Sequence, residues 1–223
     1  MVNILRRLAS QLPIRYQQEM KRLYYARQIR KEIFKADEPE FDMLGAWVCN
    51  GDFVLDIGAN IGHYTSRLSK LVGISGRVIG FEPVPETFEI LTANMERTFF
   101  NNITLLNVAV SDKTAILGMS IPKFNTGLNN YYMAHLTHDT EKLSVLSLPI
   151  DALNINEPVK LVKIDVEGHE ISVLKGMKQL LKRDHPILIV EGDSGEVAFY
   201  LQEFGYSFEK IHGSPNRIYR CSK

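Results

Sequence analysis

Residues 56–62 read Asp-Ile-Gly-Ala-Asn-Ile-Gly, and residues 163–170 read Lys-Ile-Asp-Val-Glu-Gly-His-Glu. The first stretch joins one carboxylate to two glycines. The second gathers three carboxylates, a lysine and an imidazole. Glycine lets a backbone turn sharply and lets a ligand approach it closely. Asp56 selects among such ligands, because it repels a pyrophosphate and attracts an ammonium or a sulfonium group. S-adenosylmethionine carries both cations and no phosphate. The spacing also departs from the G-x-G-x-x-G turn of dinucleotide sites. The expected ligand is therefore S-adenosylmethionine, with Asp56, Gly58, Ala59, Asn60, Gly62, Tyr64 and Thr65 around it.

Glu82, in Phe81-Glu82-Pro83, stands about 20 residues beyond the glycine turn, where an acid binds ribose hydroxyls. Pro83 offers apolar surface to an adenine, and Asn107 and Ala109 would flank it from the other side. In the second stretch, strand alternation puts Lys163 and Asp165 on one side. Glu167 or Glu170 could serve only to cap a helix, since acids favour a first helical turn. The positive end of that helix would hold His169 neutral, and a neutral imidazole accepts a proton. The candidate base is Asp165 or His169, with His135 and His138 weaker candidates. Asp165 is also counted among the cofactor-binding residues. Asp165 and Glu191 end neighbouring strands, similar to the acids that hold magnesium in catechol-type O-methyltransferases, and hard oxygen ligands suit Mg2+. No third protein ligand is identifiable, so no metal is expected.

These residues need elements to position them. FVLDI, RVIGFE, ITLLNVAV, VKLVKID and PILIVE are short apolar runs, as buried strands require. Between them IGHYTSRLSKLV, ETFEILTANMERTF, HEISVLKGMKQLLKR and GEVAFYLQEFG have helical spacing. Alternating strand and helix specifies a parallel sheet covered on both faces. YSFEKIHG and NRIYRC read as a closing strand pair with an antiparallel edge. Residues 111–149 interrupt the alternation with two candidate strands, TAILGMSIP and KLSVLSLPI, around a stretch rich in Asn, Thr, Tyr and His. Long insertions of this kind are commonly functional, and an ordered one near the site is expected. Residues 1–45 read as a basic, partly amphipathic helical extension divided at Pro13. Substrate cover, subunit contact and membrane-surface helix all remain open for it.

Composition sets the outer bounds. The 223 residues carry 26 basic and 26 acidic side chains, so the net charge is zero. That balance argues against wrapping a polyanion, and no nucleic-acid partner is expected. Two cysteines, Cys49 and Cys221, are too few for a disulfide framework. No segment has the roughly 20 apolar residues of a membrane span. The reading is cytoplasmic, without stable membrane insertion and with the oligomeric state open.

VLDIGANIGHYT, GFEPVPETFEIL, NVAVSD, VKIDVEGHEISVLKGM and ILIVE together resemble the FkbM family of S-adenosylmethionine-dependent methyltransferases, over about residues 51–192. The resemblance implies a Rossmann-like α/β fold, with a mostly parallel seven-stranded sheet, in residues 46–223. It also implies O-methylation of a hydroxyl on a sugar, glycan or other natural-product molecule. It carries most firmly to Asp56, Gly58, Asn60, Gly62, Glu82, Asp165, Glu167, Gly168 and Glu170. Three rival readings fit these residues less well. A non-catalytic S-adenosylmethionine-binding module would not need the second stretch. An NAD-dependent dehydrogenase conflicts with Asp56. A nucleic-acid amino-methyltransferase would carry an N-P-P-Y-type ending on the fourth strand, which this chain lacks.

Overall fold

The computed structural model describes residues 10–97, 101–137 and 143–221. Its main sheet has seven strands: β1 (Phe53–Ile57), β2 (Arg77–Phe81), β3 (Ile103–Leu106), β8 (Val159–Ile164), β9 (Ile187–Glu191), β10 (Tyr206–Lys210) and β11 (Asn216–Cys221). Their order is β10-β11-β9-β8-β1-β2-β3. Strand β11 runs antiparallel to both neighbours, and the other pairings are parallel. The mixed, mostly parallel sheet with a closing hairpin is the one expected. The order reverses between β1 and β8, and a crevice opens beyond the carboxyl ends of strands at such a point.

Apolar side chains cover both faces. On one, Leu55, Ile57, Val162 and Ile164 pack against Val173, Leu174 and Leu181 of α5 (Glu170–Lys175) and α6 (Lys178–Asp184), and against Val197 and Leu201 of α7 (Gly195–Gln202). On the other, Val54, Val78, Leu161 and Ile189 meet Leu68 and Val72 of α3 (His63–Val72). Phe41 of α2 (Pro39–Met43) joins them, as do Leu44 and Trp47. This burial supplies the main driving force, at about 25 cal/mol per Å² of apolar surface removed from water.

A second sheet, of order β4-β7-β5-β6, holds β4 (Ala109–Val110), β5 (Ala115–Ser120), β6 (His135–Thr137) and β7 (Ser144–Leu148). It contains both strands expected within residues 111–149, paired antiparallel to each other. It also corrects the reading of ITLLNVAV as one strand. The main sheet keeps only Ile103–Leu106, and Ala109–Val110 pairs with β7 instead.

Two helical expectations also change. HEISVLKGMKQLLKR is not one helix but α5 and α6, broken at Gly176 and Met177. A Cβ on Gly176 would stand 2.0 Å from the Ser111 carbonyl oxygen, so the break lets a neighbouring chain segment pass. The Asp151 carboxylate then accepts hydrogen bonds from Gln179 N and Leu180 N, 2.8 and 3.1 Å away, which starts α6 anew. Near the N-terminus, α1 (Ile14–Arg30) begins directly after Pro13, as the proline predicts. It ends at Lys31, with Glu32 in the left-handed region, and residues 33–37 are not helical. The helix lies against α4 (Pro85–Met95), where Arg22 faces Glu89 across 3.6 Å.

Candidate active site

The β1–α3 turn and the β8–α5 turn meet at the reversal point. Asp165 N donates to Ile57 O at 3.0 Å. Gly58 has φ +80°, and a Cβ there would lie 1.8 Å from the Asp165 carbonyl oxygen. Glycine is thus required at position 58 so that the two motifs can touch. Asn60 and Glu167 both adopt left-handed conformations at the edge of the resulting cleft. Asparagine tolerates that region, whereas a glutamate there is a strained residue of the kind that collects at functional sites.

The cleft is lined by Gly58, Asn60, Glu82, Pro83, Val84, Val108, Ala109 and Met119. Tyr131, Tyr132, His135, Asp165, Glu167, His169 and Glu191 line it as well. None of its lining residues is lysine or arginine. Glu82 is buried, and its carboxylate accepts from Asn60 N at 3.0 Å and Val84 N at 2.9 Å. Burial raises its pKa to about 7, although those two backbone donors oppose the rise. An adjoining recess is bordered by Asp56, Asn60, Tyr64, Tyr132, Lys163 and Asp165. Asp56 is buried there, and burial raises its pKa against the stabilising bond from Thr65 Oγ1 at 2.5 Å.

The β8–α5 turn carries the charge. Burial alone would neutralise Lys163, but Asp165, Asp56 and Glu191 together raise its pKa. Its ammonium contacts Asp165 Oδ2 at 2.8 Å. Burial works against ionisation of Asp165, yet Lys163 and a hydrogen bond from Glu191 hold it below the usual carboxylate range. That same hydrogen bond, together with burial, raises Glu191 to about 8. The pair is thus pushed in opposite directions, Asp165 towards the ionised form and Glu191 towards the protonated one. Oxygens of Asp165, Glu167 and Glu191 lie within 4.8 Å of one another. Glu167 is the third carboxylate that could not be identified from sequence, because its direction depends on the turn. Glu170 stands in the first turn of α5, and its Oε1 accepts from Gly168 N at 2.9 Å, bracing the turn that precedes the helix.

His169 stands at the N-terminus of α5 and lines the cleft. Its pKa is lowered, chiefly by burial and against the pull of Asp112 and Glu170. Neutral imidazole was expected, but from the helix dipole rather than from burial. Its Nε2 lies 2.9 Å from Ser111 Oγ, which is 3.2 Å from Asp112 Oδ1. Ser111 was not singled out in the sequence, because nothing in its local pattern marks it.

Several expected ligand contacts are relocated. Thr65 is fully buried behind Asp56 and holds that carboxylate instead of reaching the cleft. Gly62 faces away from the cleft. A Cβ there would lie 2.7 Å from Leu91 and Met95, so it serves the close packing of α3 on α4. Asn107 also does not line the cleft, since its amide donates to Glu82 O and Pro83 O and braces the β2–α4 turn. Tyr64 reaches only the recess, with its hydroxyl directed to Glu40 at 3.3 Å. His135 lines the cleft and contacts Met133 O through Nδ1, while His138 lies outside the described residues.

Comparison with known proteins places this architecture. The model of the methyltransferase FkbM domain matches residues 56–208. The hexuronic acid methyltransferase AglP of Haloferax volcanii is 30% identical over 142 residues, covering 62% of this chain and 55% of that protein. A crystal structure of a methyltransferase FkbM from Methylobacillus flagellatus superposes with a TM-score of 0.58 at 19% identity, over 76% of this chain and 43% of the other. Fibrillarin of Aeropyrum pernix, solved with natively bound S-adenosyl-L-methionine, gives a TM-score of 0.50 at 15% identity, over 78% of this chain and 68% of that one. The two structures are alike in fold. The chain spans about half the length of the curated relatives it matches.

Proposed function

This chain belongs to the FkbM methyltransferase family, and from that premise we propose that it transfers the methyl group of S-adenosylmethionine to a hydroxyl of a sugar, glycan or similar small molecule. One observation carries the reading: a cleft at the strand reversal point lined by Glu82, Asp165, Glu167 and Glu191 and by no lysine or arginine. Such a cleft suits a cation and repels a polyphosphate. The residues present fit the cofactor. Pro83, Val84, Val108 and Ala109 supply apolar surface for an adenine, and Glu82 supplies a carboxylate for ribose hydroxyls. Asp56 and Lys163, of opposite sign, border the recess, where the ammonium and carboxylate of an amino acid find their complements. The hexuronic acid named for AglP favours a sugar acceptor.

When bound, S-adenosylmethionine supplies the methyl group: a C–O bond forms as the C–S bond breaks, and that electron pair stays on sulfur. The chain's own work is alignment, which can lower a barrier by about 7–11 kcal/mol, and removal of the hydroxyl proton. His169 is the base. Ser111 has one hydroxyl proton and gives it to Asp112, so Nε2–H of His169 donates to Ser111 Oγ and the Nδ1 lone pair is free for the acceptor proton. Asp165 is the poorer base, because Lys163 and Glu191 hold it ionised and hydrogen-bonded. The methyltransferase domain is the catalytic unit in this reading, with α1 and the described part of the insertion on the acceptor side.

The test is transfer from methyl-labelled S-adenosylmethionine to fractionated glycan, small-metabolite and RNA pools. The expected product is a methyl ether, stable to mild alkali, in a glycan or metabolite fraction. An alkali-labile ester, label in RNA alone, or bound cofactor with no transfer would each defeat the proposal.

A further inference from the structure

A second cavity, of about 840 Å³, adjoins the cleft and shares Asn60, Tyr131 and Tyr132 with it. It lies between α1, the first half of α4 and the segment 124–132. Its size is within the range of about 300–1,000 Å³ common for small-molecule sites. Two buried hydroxyls of residues that line it, Thr87 Oγ1 and Thr126 Oγ1, have no hydrogen-bond partner among the described residues. Thr87 is only 2% exposed. A buried hydroxyl left unpaired is costly, so these two groups gain from a polar ligand that reaches them. Lys21 also lines the cavity, with Nζ 4.5 Å from the centre of the Tyr131 ring, and forms no ion pair among the described residues. Burial lowers its pKa despite the opposing field of Glu86, and a bound anion would raise it again. Tyr25, Tyr131 and Tyr132 add flat, amphipathic surface of the kind that receives the C–H face of a sugar ring.

We propose that this cavity is the acceptor subsite and that it takes a sugar bearing a carboxylate. The carboxylate pairs with Lys21, the ring hydroxyls complete Thr87 and Thr126, and the ring lies on the tyrosines. Lys21 is the single lysine or arginine among the residues lining the cavity, which matches one negative charge and leaves a phosphate dianion undercompensated. The assignment rests on the methyl-transfer reading above and names the class of its acceptor.

The experiment measures binding of glucuronic acid, glucose and glucose 1-phosphate to the full chain by saturation-transfer NMR in the presence of S-adenosylhomocysteine, with cofactor affinity measured separately by calorimetry. Glucuronic acid is expected to bind at least tenfold more tightly than glucose. Lys21→Gln should abolish that preference, and Lys21→Arg should retain most of it. Thr87→Val should weaken both sugars by a similar few-fold factor. Equal binding of glucuronic acid and glucose, stronger binding of the phosphate, no binding of any sugar, or a preference that survives Lys21→Gln overturns the assignment. Cofactor binding in the Lys21→Gln and Thr87→Val proteins shows that they are folded. Failure of the wild-type chain to bind the cofactor defeats the methyl-transfer reading instead, so the two failures are distinct.

Discussion

At the residue scale the site works by setting proton positions. Burial of Glu82 raises its pKa to about 7, whereas an exposed glutamate ionises near 4.5. The ionised form is the better acceptor for ribose hydroxyls. Affinity for S-adenosylmethionine should therefore fall as pH drops through about 7, and calorimetric titrations from acid to mildly alkaline pH should trace that midpoint. Glu82→Gln should abolish the trend and bind weakly throughout. The stability of the unliganded chain runs the other way. Between the two pKa values the folded state holds a proton that the unfolded chain has released, so Glu82 lowers stability as pH rises through that window. His169 has its own signature. With its pKa lowered by burial, it stays neutral at pH 7 and loses activity only on the acid side of the ordinary histidine value. His169→Ala should reduce kcat about 100- to 10,000-fold with cofactor affinity unchanged. Ser111→Ala, which frees Nε2 to take the other tautomer, should cost roughly tenfold in kcat and is read from the same rate measurements.

At the element scale, two turns from distant parts of the chain depend on close backbone approach. Gly58→Ala would drive a methyl group into the Asp165 carbonyl, 1.8 Å from its Cβ position. Denaturant unfolding should show a loss of about 3 kcal/mol or more, from combined overpacking and left-handed strain. Gly176 has an ordinary helical φ, so Gly176→Ala tests the close approach alone, 2.0 Å from Ser111 O. It should cost about 1–3 kcal/mol. It should also lower kcat, because it displaces the segment that carries Ser111 against His169. Asp151→Ala is the contrast: it removes the acceptor for Gln179 N and Leu180 N at the start of α6 and should cost about 1 kcal/mol with kcat unchanged.

At the scale of the whole molecule, ligand binding should report on the entire fold. S-adenosylmethionine at 100 times its Kd should stabilise the chain by about 2.7 kcal/mol, read as a rise in thermal midpoint, whereas NAD should produce no shift. Lys163 and the proton of Glu191 already compensate the Asp165, Glu167 and Glu191 group. Exhaustive EDTA treatment should accordingly leave the transfer rate unchanged, and a loss restored by Mg2+ would make that trio a cation site. Among the described residues no helix is long and apolar enough to cross a membrane. The exposed Ile14, Tyr16, Met20 and Leu23 lie on the outer surface of α1, a helix that contributes no fully buried residue.

The sequence by itself determined what depends on neighbours along the chain. Alternating apolar runs and helical spacing specified the order of strands and helices in the main sheet, because burial on both faces imposes those patterns on local segments. That Asp56, Glu82, Asp165 and His169 gather at one crevice was legible for the same reason: strand ends and glycine turns have local signatures, and a sheet reversal puts strand ends together. Tertiary structure alone decided what depends on segments far apart in sequence. Glu167 joins Asp165 and Glu191 only because a left-handed turn re-aims it. Ser111 meets His169 across 58 positions of chain. Asn107, Gly62 and Thr65 are drawn into bracing and packing by partners that sequence distance conceals. The cavity beside the cleft needs α1, α4 and residues 124–132 together. Hydrophobic periodicity records which face of an element is buried but not what it is buried against, and that difference separates the legible cleft from the cavity beside it.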